Sequence, residues 1–198
     1  MKNVKFVFAI VLALALGFNN NILAQQAVLA AHIADDGGKK MTTNGATIVS
    51  QAHEGMVITL QNGKYGFANK QGVDVVLPTY EDAHLFSNNY AAVRTNAGWT
   101  FINKQGKKIS RRTYDWVGSF GEMGYAPVQI NGKWGFINEQ GAEISGLKYD
   151  KVAQFDKNGN AVVKIGENWF LLNENGVETP MDNSDKTQQA DIERLIKL

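Results

Sequence analysis

One phrase of eleven residues recurs along this chain and constrains its fold more than any other feature. The copy NGKWGFINEQG at 131–141 follows NGKYGFANKQG at 62–72 and NAGWTFINKQG at 96–106, and a diverged copy, GENWFLLNENG, lies at 166–176. The central aromatic residues are spaced by 34, 35 and 35 positions, and they are Tyr65, Trp99, Trp134 and Trp169. A period of this length predicts a repeat architecture in which each copy builds one structural unit.

Other residue types recur at fixed distances from the central aromatic. An asparagine lies four positions later and a glycine seven positions later in all four copies, and a tyrosine lies fifteen positions later in three. Each Asn-x-x-Gly predicts a tight turn, with the glycine in the left-handed conformation and the asparagine side chain bonded to nearby backbone. The three columns are Asn69, Asn103, Asn138 and Asn173, then Gly72, Gly106, Gly141 and Gly176, then Tyr80, Tyr114 and Tyr149.

The segments between these turns have the alternation of half-buried strands. Lys-Trp-Gly-Phe-Ile at 133–137 alternates large apolar residues with others, and the Asn-Gly pairs at 62–63 and 131–132 predict β-hairpins. A short run after each copy, such as 73–77 or 107–110, predicts a third strand. We therefore predict an all-β fold of tandem three-stranded antiparallel units, each about 35 residues long, stacked on a shared aromatic core. Three full copies and two partial ones favour an open array, although a closed ring also fits the period.

The two ends of the chain differ from the repeats. Lys2 and Lys5 precede an apolar run at 6–18, which is typical of a signal peptide and short for a membrane span; an uncleaved anchor is the alternative. A helix from about Lys186 to Lys197 is expected to cap the array. The predicted divisions are a signal peptide at 1–24, a flexible segment at 25–44, a β domain at 45–180 with units near 55–89, 90–124, 125–159 and 160–180, and a capping helix at 181–198.

The repeated phrase resembles the bacterial WG-repeat family. The pattern N-G-K-W-G-F-I-N-x-x-G, followed by Tyr-Asp and later by an apolar strand such as A-P-V, covers roughly residues 55–180. Thr100 replaces the glycine after the tryptophan in the second copy, and Tyr65 replaces the tryptophan in the first. The resemblance implies β-rich repeats in secreted or envelope-associated proteins, often acting as binding or scaffolding modules. It implies no shared catalytic residues.

Composition excludes several classes of function. Without the two lysines of the signal peptide, 18 basic residues stand against 19 acidic ones, so the net charge of −1 favours neither nucleic acid nor anionic membrane. The absence of cysteine excludes disulfides, thiolate zinc sites and a lipid-modified cysteine anchor. The three histidines match no metal-ligand spacing, and no nucleophile motif is present. We predict no cofactor, no metal site and no catalytic residue; Asp82, Asp115 and Asp150, which follow the recurring tyrosines, are assigned to turn chemistry.

Candidate binding residues lie where one copy departs from the others. Trp116 occupies a column that holds Asp82 in the first copy and Lys151 in the third, so this position faces water and its tryptophan is a candidate contact residue. Basic residues cluster in the same copy, opposite acidic residues in the next. We predict a partner-binding surface with these members: Trp116, Arg111, Arg112, Lys107, Lys108 and Tyr125.

These observations favour an exported, periplasmic or secreted protein-interaction or scaffold module without catalytic activity. A glycan-binding module that uses exposed aromatic residues, Trp116 and Tyr125, is the alternative. The third alternative is an enzyme whose acidic residues are brought together from different repeats. The basic cluster is also explained by an ordinary solvated turn without a binding role. The partner's identity, the oligomeric state and the strand order between units stay open.

Overall fold

The computed structural model describes residues 40–181, in which the chain forms fourteen β-strands and no α-helix. The predicted signal peptide and the C-terminal helix at 186–197 lie outside these residues. A boundary after Tyr80 divides the chain into two compact units. Each sheet is antiparallel and has three or four strands, which confirms the predicted all-β fold of tandem units.

The first unit contains a single four-stranded sheet in the order β1-β2-β3-β4. Its strands are β1 (Thr47–Ile48), β2 (Met56–Gln61), β3 (Lys64–Asn69) and β4 (Asp74–Tyr80). Strand β4 corresponds to the third strand predicted at 73–77, and its pairing with β3 is irregular after Tyr65. At this irregularity the backbone of β4 passes close to Gly66. A Cβ atom on Gly66 would lie 2.4 Å from the Val76 carbonyl oxygen, so no larger residue fits without rearrangement.

The second unit contains three sheets, each built on one long hairpin. The sheets have the orders β5-β6-β7, β10-β9-β8 and β11-β12-β13-β14. The strands are β5 (Asp82–Ala83), β6 (Tyr90–Thr95), β7 (Gly98–Asn103), β8 (Trp116–Val117), β9 (Tyr125–Ile130), β10 (Lys133–Asn138), β11 (Lys151–Val152), β12 (Asn160–Ile165), β13 (Asn168–Asn173) and β14 (Glu178–Pro180).

The third strand of two of these sheets comes from a different part of the chain than expected. The run at 107–110 forms only an isolated bridge between Lys108 and Ile102. Each hairpin pairs instead with the two-residue strand that precedes it, as β8 pairs with β9. The reason is local: the Ser110 hydroxyl bonds the backbone of Arg112, and this turn takes the chain away from the hairpin edge before Tyr114 returns to it.

The recurring aromatic residues form the core between successive hairpins. The connecting arm at 107–124 places Tyr114 and Phe120 between the hairpin β6–β7 and Val128 of the hairpin β9–β10. Phe120 meets Phe101 edge to face, with ring centroids 5.0 Å apart. The next interval repeats this arrangement with a cluster made of Phe136, Tyr149, Val152, Phe155, Ala161, Val163 and Leu172. These contacts confirm that the aromatic columns are core, and each fully buried ring contributes about 1.5–3 kcal/mol of hydrophobic free energy.

The Asn-x-x-Gly turns are held as the sequence predicts. The Asn138 side-chain oxygen accepts the backbone N–H groups of Gln140 and Ala142 at 3.1 and 3.0 Å, and the other three asparagines do the same in their turns. Gly141 has φ +74°, and a Cβ atom at this position would lie 2.0 Å from the Ile109 carbonyl oxygen. The turn glycine therefore also allows the third copy to approach the backbone of the second.

Replacing this glycine tests the close approach between copies. Gly132 in the hairpin turn has the same φ of +74°, but a Cβ atom added there would meet nothing within 4 Å, so it is a matched control. We expect Gly132→Ala to lower the free energy of unfolding by about 1–2 kcal/mol through backbone strain alone. Gly141→Ala adds a collision with backbone and should cost about 3 kcal/mol or more. Urea denaturation followed by circular dichroism measures both, and equal losses would contradict the close packing.

Candidate functional site

Three side chains form a row across one face of the third sheet. Trp116 in β8 lies directly opposite Gln129 in β9, and Gln129 lies directly opposite Trp134 in β10. Directly opposed residues of an antiparallel pair point to the same face, so the two indoles flank the amide. Trp116 is 63% exposed, the highest value of any large hydrophobic residue that the structure describes, while Gln129 and Trp134 are half-buried. We call these three residues the Trp116 row.

The corresponding row of the second sheet is built differently. It contains Asp82, Arg94 and Trp99 in the same register. The Arg94 guanidinium lies 5.9 Å from the Trp99 ring centroid, and the ring centroids of His84 and Trp99 are 4.6 Å apart. Both groups cover the indole, so Trp99 is buried.

The fourth sheet follows the second rather than the third. Its row contains Lys151, Lys164 and Trp169. The Lys164 ammonium lies 5.2 Å from the Trp169 ring centroid, within the range of a cation–π contact, and Trp169 is buried. The third sheet has the neutral Gln129 in place of the cation, and Gly118, which follows β8 as His84 follows β5, stands at the position of His84. Trp134 is half-buried rather than buried, and it packs against the cluster that contains Phe136 and Tyr149.

Asp115 fixes the backbone that carries Trp116. Its N–H donates to the Gln129 carbonyl oxygen at 2.9 Å, and its carboxylate accepts the N–H of Asn131 in the hairpin turn at 2.7 Å. Asp150 likewise accepts the N–H of Gly166 at 2.7 Å. The recurring aspartates therefore accept backbone N–H groups, as the sequence predicts, but in these two copies the donor lies sixteen residues later rather than nearby. These hydrogen bonds fix strand β8, which carries Trp116, to the β9–β10 hairpin.

A charged pair lies beside the Trp116 row. Lys133, the neighbour of Trp134, forms an ion pair with Asp150. The hydrogen bond from Lys133 lowers the pKa of the Asp150 carboxyl group, and the N–H of Gly166 lowers it further. Asp150 is therefore ionised at neutral pH and compensates the charge of Lys133.

The basic residues of the predicted surface have contacts separate from those of the Trp116 row. The Arg112 guanidinium forms an ion pair with Glu143 at 2.8 Å, so the acidic stretch of the third copy already compensates its charge. Arg111, Lys107 and Lys108 are exposed. Between residues 40 and 181, no hydrogen bond or cation–π contact joins Trp116 to either arginine. The structure thus brings Trp116 together with Gln129 and Trp134, which were not among the predicted site residues.

Tyr125 belongs to the core rather than to the Trp116 row. Its ring centroid lies 4.5 Å from that of Phe155, and it packs on the cluster between the third and fourth hairpins. Burial raises the pKa of its phenol, and Glu174 raises it further.

The buried tyrosines of the arms are protonated structural groups. The Tyr149 hydroxyl donates to the Glu178 carboxylate, and the Lys148 ammonium lies 2.7 Å from the same carboxylate. Burial raises the pKa of Tyr149, and the hydrogen bond to Glu178 raises it further. Burial also raises the pKa of Tyr114, whose hydroxyl lies 3.2 Å from that of Ser110. Neither phenol is available as a base at neutral pH.

Residues 40–181 contain no group of three or more His, Asp or Glu side chains placed to hold an ion. The Asp156 carboxylate accepts the N–H groups of Asn158 and Asn160 at 2.9 and 3.0 Å, so it closes a turn. None of the described residues forms a helix with the length and apolar character needed to cross a membrane.

This chain is a tandem β-repeat protein built from hairpins joined by arms. Its third sheet differs from the others in carrying the Trp116 row. The family model of the WG containing repeat matches three consecutive segments, at residues 65–99, 99–134 and 134–169. Together they span 105 of the 198 residues, more than half of the chain. The chain therefore belongs to the WG-repeat family. No curated protein matches the sequence.

The ion pair and phenol at Glu178 predict a pH-dependent contribution to stability. Burial raises the pKa of Glu178, but hydrogen bonds from Lys148 and Tyr149 outweigh it and hold the pKa below its ordinary value of 4.5. Its contribution is therefore present above about pH 4.5 and is lost as the pH falls through the lower folded-state value. We expect Glu178→Gln to lower the free energy of unfolding at pH 7 by about 1 kcal/mol, and to have less effect at pH 2. Urea titrations at both pH values measure the difference.

The matched control is Glu167→Gln, because Glu167 is exposed and forms no ion pair with residues 40–181. It should leave stability nearly unchanged at both pH values. An equal loss for Glu178→Gln at pH 7 and pH 2 would show that the carboxylate charge is not responsible.

A chelator tests the metal prediction directly. We expect the melting midpoint of the purified protein to be the same with and without EDTA, because a fold without a bound ion loses nothing when free metal is removed. A lower midpoint in EDTA would show that a metal ion stabilises the fold.

Proposed function

We propose that this chain is a non-catalytic binding module of the bacterial envelope or exterior, acting as an interaction or scaffold component through its third sheet. The observation that carries the proposal is Trp116, an exposed indole on the third sheet, where the second and fourth sheets carry Asp82 and Lys151. A large apolar side chain exposed to water gains free energy when a partner covers it. Folding gives no reason for a tryptophan at a position that also holds Asp and Lys.

Several features support a role without catalysis. The carboxylates of Asp115 and Asp150 bond backbone N–H groups. The phenols of Tyr114 and Tyr149 have raised pKa values, so they are protonated at neutral pH. Groups that elsewhere supply acid–base chemistry are here used to join one copy to the next.

The proposed export rests on the sequence alone. Lys2 and Lys5 before the apolar run at 6–18 have the pattern of a secretory signal, and the absence of cysteine excludes attachment through a lipid-modified cysteine. A protein partner and a glycan both fit a module in this location. An acidic protein partner would gain additional contacts from Arg111, Lys107 and Lys108, which are exposed in the second copy.

Affinity capture from native envelope extract tests the proposal. The immobilised wild-type protein is compared with Trp116→Ala, Arg111→Glu and Val177→Ala, and bound material is analysed for both proteins and glycans. Val177 is the control, because it is 57% exposed but lies in the fourth copy. We expect wild type and Val177→Ala to retain a component that Trp116→Ala loses, with recovery falling by about tenfold.

Arg111→Glu separates the contribution of the basic residues from that of the Trp116 row. Loss of the captured component in this variant as well would extend the contact surface to the basic residues. If all four proteins retain the same material, or if none retains any, the proposed binding surface is wrong.

A further inference from the structure

The Trp116 row is a narrow strip on the sheet. On the same face, the residues two positions inward are Pro127 and Phe136, which are both buried, and outward the chain enters the Asn131–Gly132 turn. The accessible strip is therefore one residue deep along the strands. It is most exposed at Trp116 and ends at Trp134, which is half-buried and packs in part against the cluster of Phe136 and Tyr149. A protein interface of ordinary size needs a broader apolar centre with a polar rim. A strip of this shape suits a linear ligand.

The spacing of the two indoles is set by strand pairing. Neighbouring strands are separated by about 4.8 Å, so Trp116 and Trp134 are about 10 Å apart, with Gln129 between them. Alternate rings of an extended β-1,4-linked sugar chain repeat at a similar distance and present the same face. Two such rings fit over the indoles while the intervening ring lies over the amide.

The chemistry of the row matches a sugar. The negative face of an indole attracts the C–H groups of a pyranose ring. The Gln129 amide offers both a donor and an acceptor to hydroxyl groups, and within residues 40–181 it forms no hydrogen bond of its own. The row carries no net charge, because Gln129 replaces the cation found in the second and fourth copies and Asp150 compensates Lys133. An anionic ligand finds no unpaired cation in it.

We infer that the Trp116 row binds a neutral, extended glycan of the β-1,4-linked type. The inference rests on the proposed binding function and names the ligand class for the same surface. Trp116 and Trp134 stack on alternate sugar rings, and Gln129 bonds the hydroxyl groups of the ring between them.

Isothermal titration of the purified protein with defined tetrasaccharides tests the inference. Cellotetraose and chitotetraose are extended neutral β-1,4-linked probes, and maltotetraose is a curved α-linked one. We expect at least one β-linked probe to bind, and maltotetraose to bind at least about tenfold more weakly. No binding of either β-linked probe at millimolar concentration would overturn the inference.

Three variants locate the site. Trp116→Ala should weaken binding of the β-linked probe by about tenfold or more, because it removes one stacking ring. Gln129→Arg introduces the residue type of Arg94 at the same position and should also weaken binding by covering Trp134, while the strand pairing is kept. Val177→Ala should bind as wild type does. Thermal melting of each variant confirms that the fold is intact, and unchanged affinity in folded Trp116→Ala would overturn the site.

The capture experiment and the titrations together distinguish a wrong ligand class from a wrong proposed function. Capture of an envelope protein that depends on Trp116, together with no tetrasaccharide binding, would show that the row binds protein and that the glycan inference is wrong. Failure of both the capture and the titrations would overturn the proposed function as well.

Discussion

The packing of one aromatic pair in each interval between hairpins holds the second unit together. Phe120 meets Phe101 edge to face at 5.0 Å, and Phe155 meets Phe136 in the same way at 4.9 Å. In each case the arm phenylalanine is also covered by small apolar residues of the next hairpin. A two-stranded hairpin alone is marginal in water, so no copy here is stable without this contact to the following one. The recurrence of the phrase follows from that dependence.

The same dependence explains how the row is presented. The arm leaves one hairpin where Tyr114 pairs with Trp99 and joins the next where Trp116 pairs with Gln129. Two residues thus carry the chain from one sheet to another, with Tyr114 buried and Trp116 exposed. Asp115, which lies between them, bonds the backbone of the receiving hairpin at two points. The backbone at position 116 is therefore fixed on the receiving hairpin, which reduces the backbone entropy lost when a ligand binds.

The sequence predicts the local features well and the long-range ones poorly. The hairpins, the Asn-x-x-Gly turns and the aromatic core follow from short-range chemistry that each copy repeats. The pairing of β8 with the next hairpin does not, because it depends on the turn at Ser110 and on contacts thirteen residues apart, as between Trp116 and Gln129. The sequence shows that the basic residues of one copy correspond to acidic residues of the next, but it does not show which of them pair, as Arg112 does with Glu143. The sequence marks Trp116 as a candidate because the same position holds Asp82 and Lys151 in other copies. Its alignment with Trp134 across the sheet follows only from the strand register.

Position 129 holds a neutral glutamine where the second and fourth sheets have a cation. This difference shows whether strand pairing requires the cation. Arg94 and Lys164 each lie over a tryptophan, and such a contact is worth about 0.5–1 kcal/mol at an exposed site. The third copy lacks that contribution and leaves Trp134 half-buried, yet its hairpin keeps the full register of six residue pairs. Strand pairing is therefore independent of the cation. Trp134 still packs against the cluster that contains Phe136 and Tyr149, so Gln129 leaves only the remaining part of the ring exposed. Under the proposed function, that part of the ring is the surface that a ligand covers.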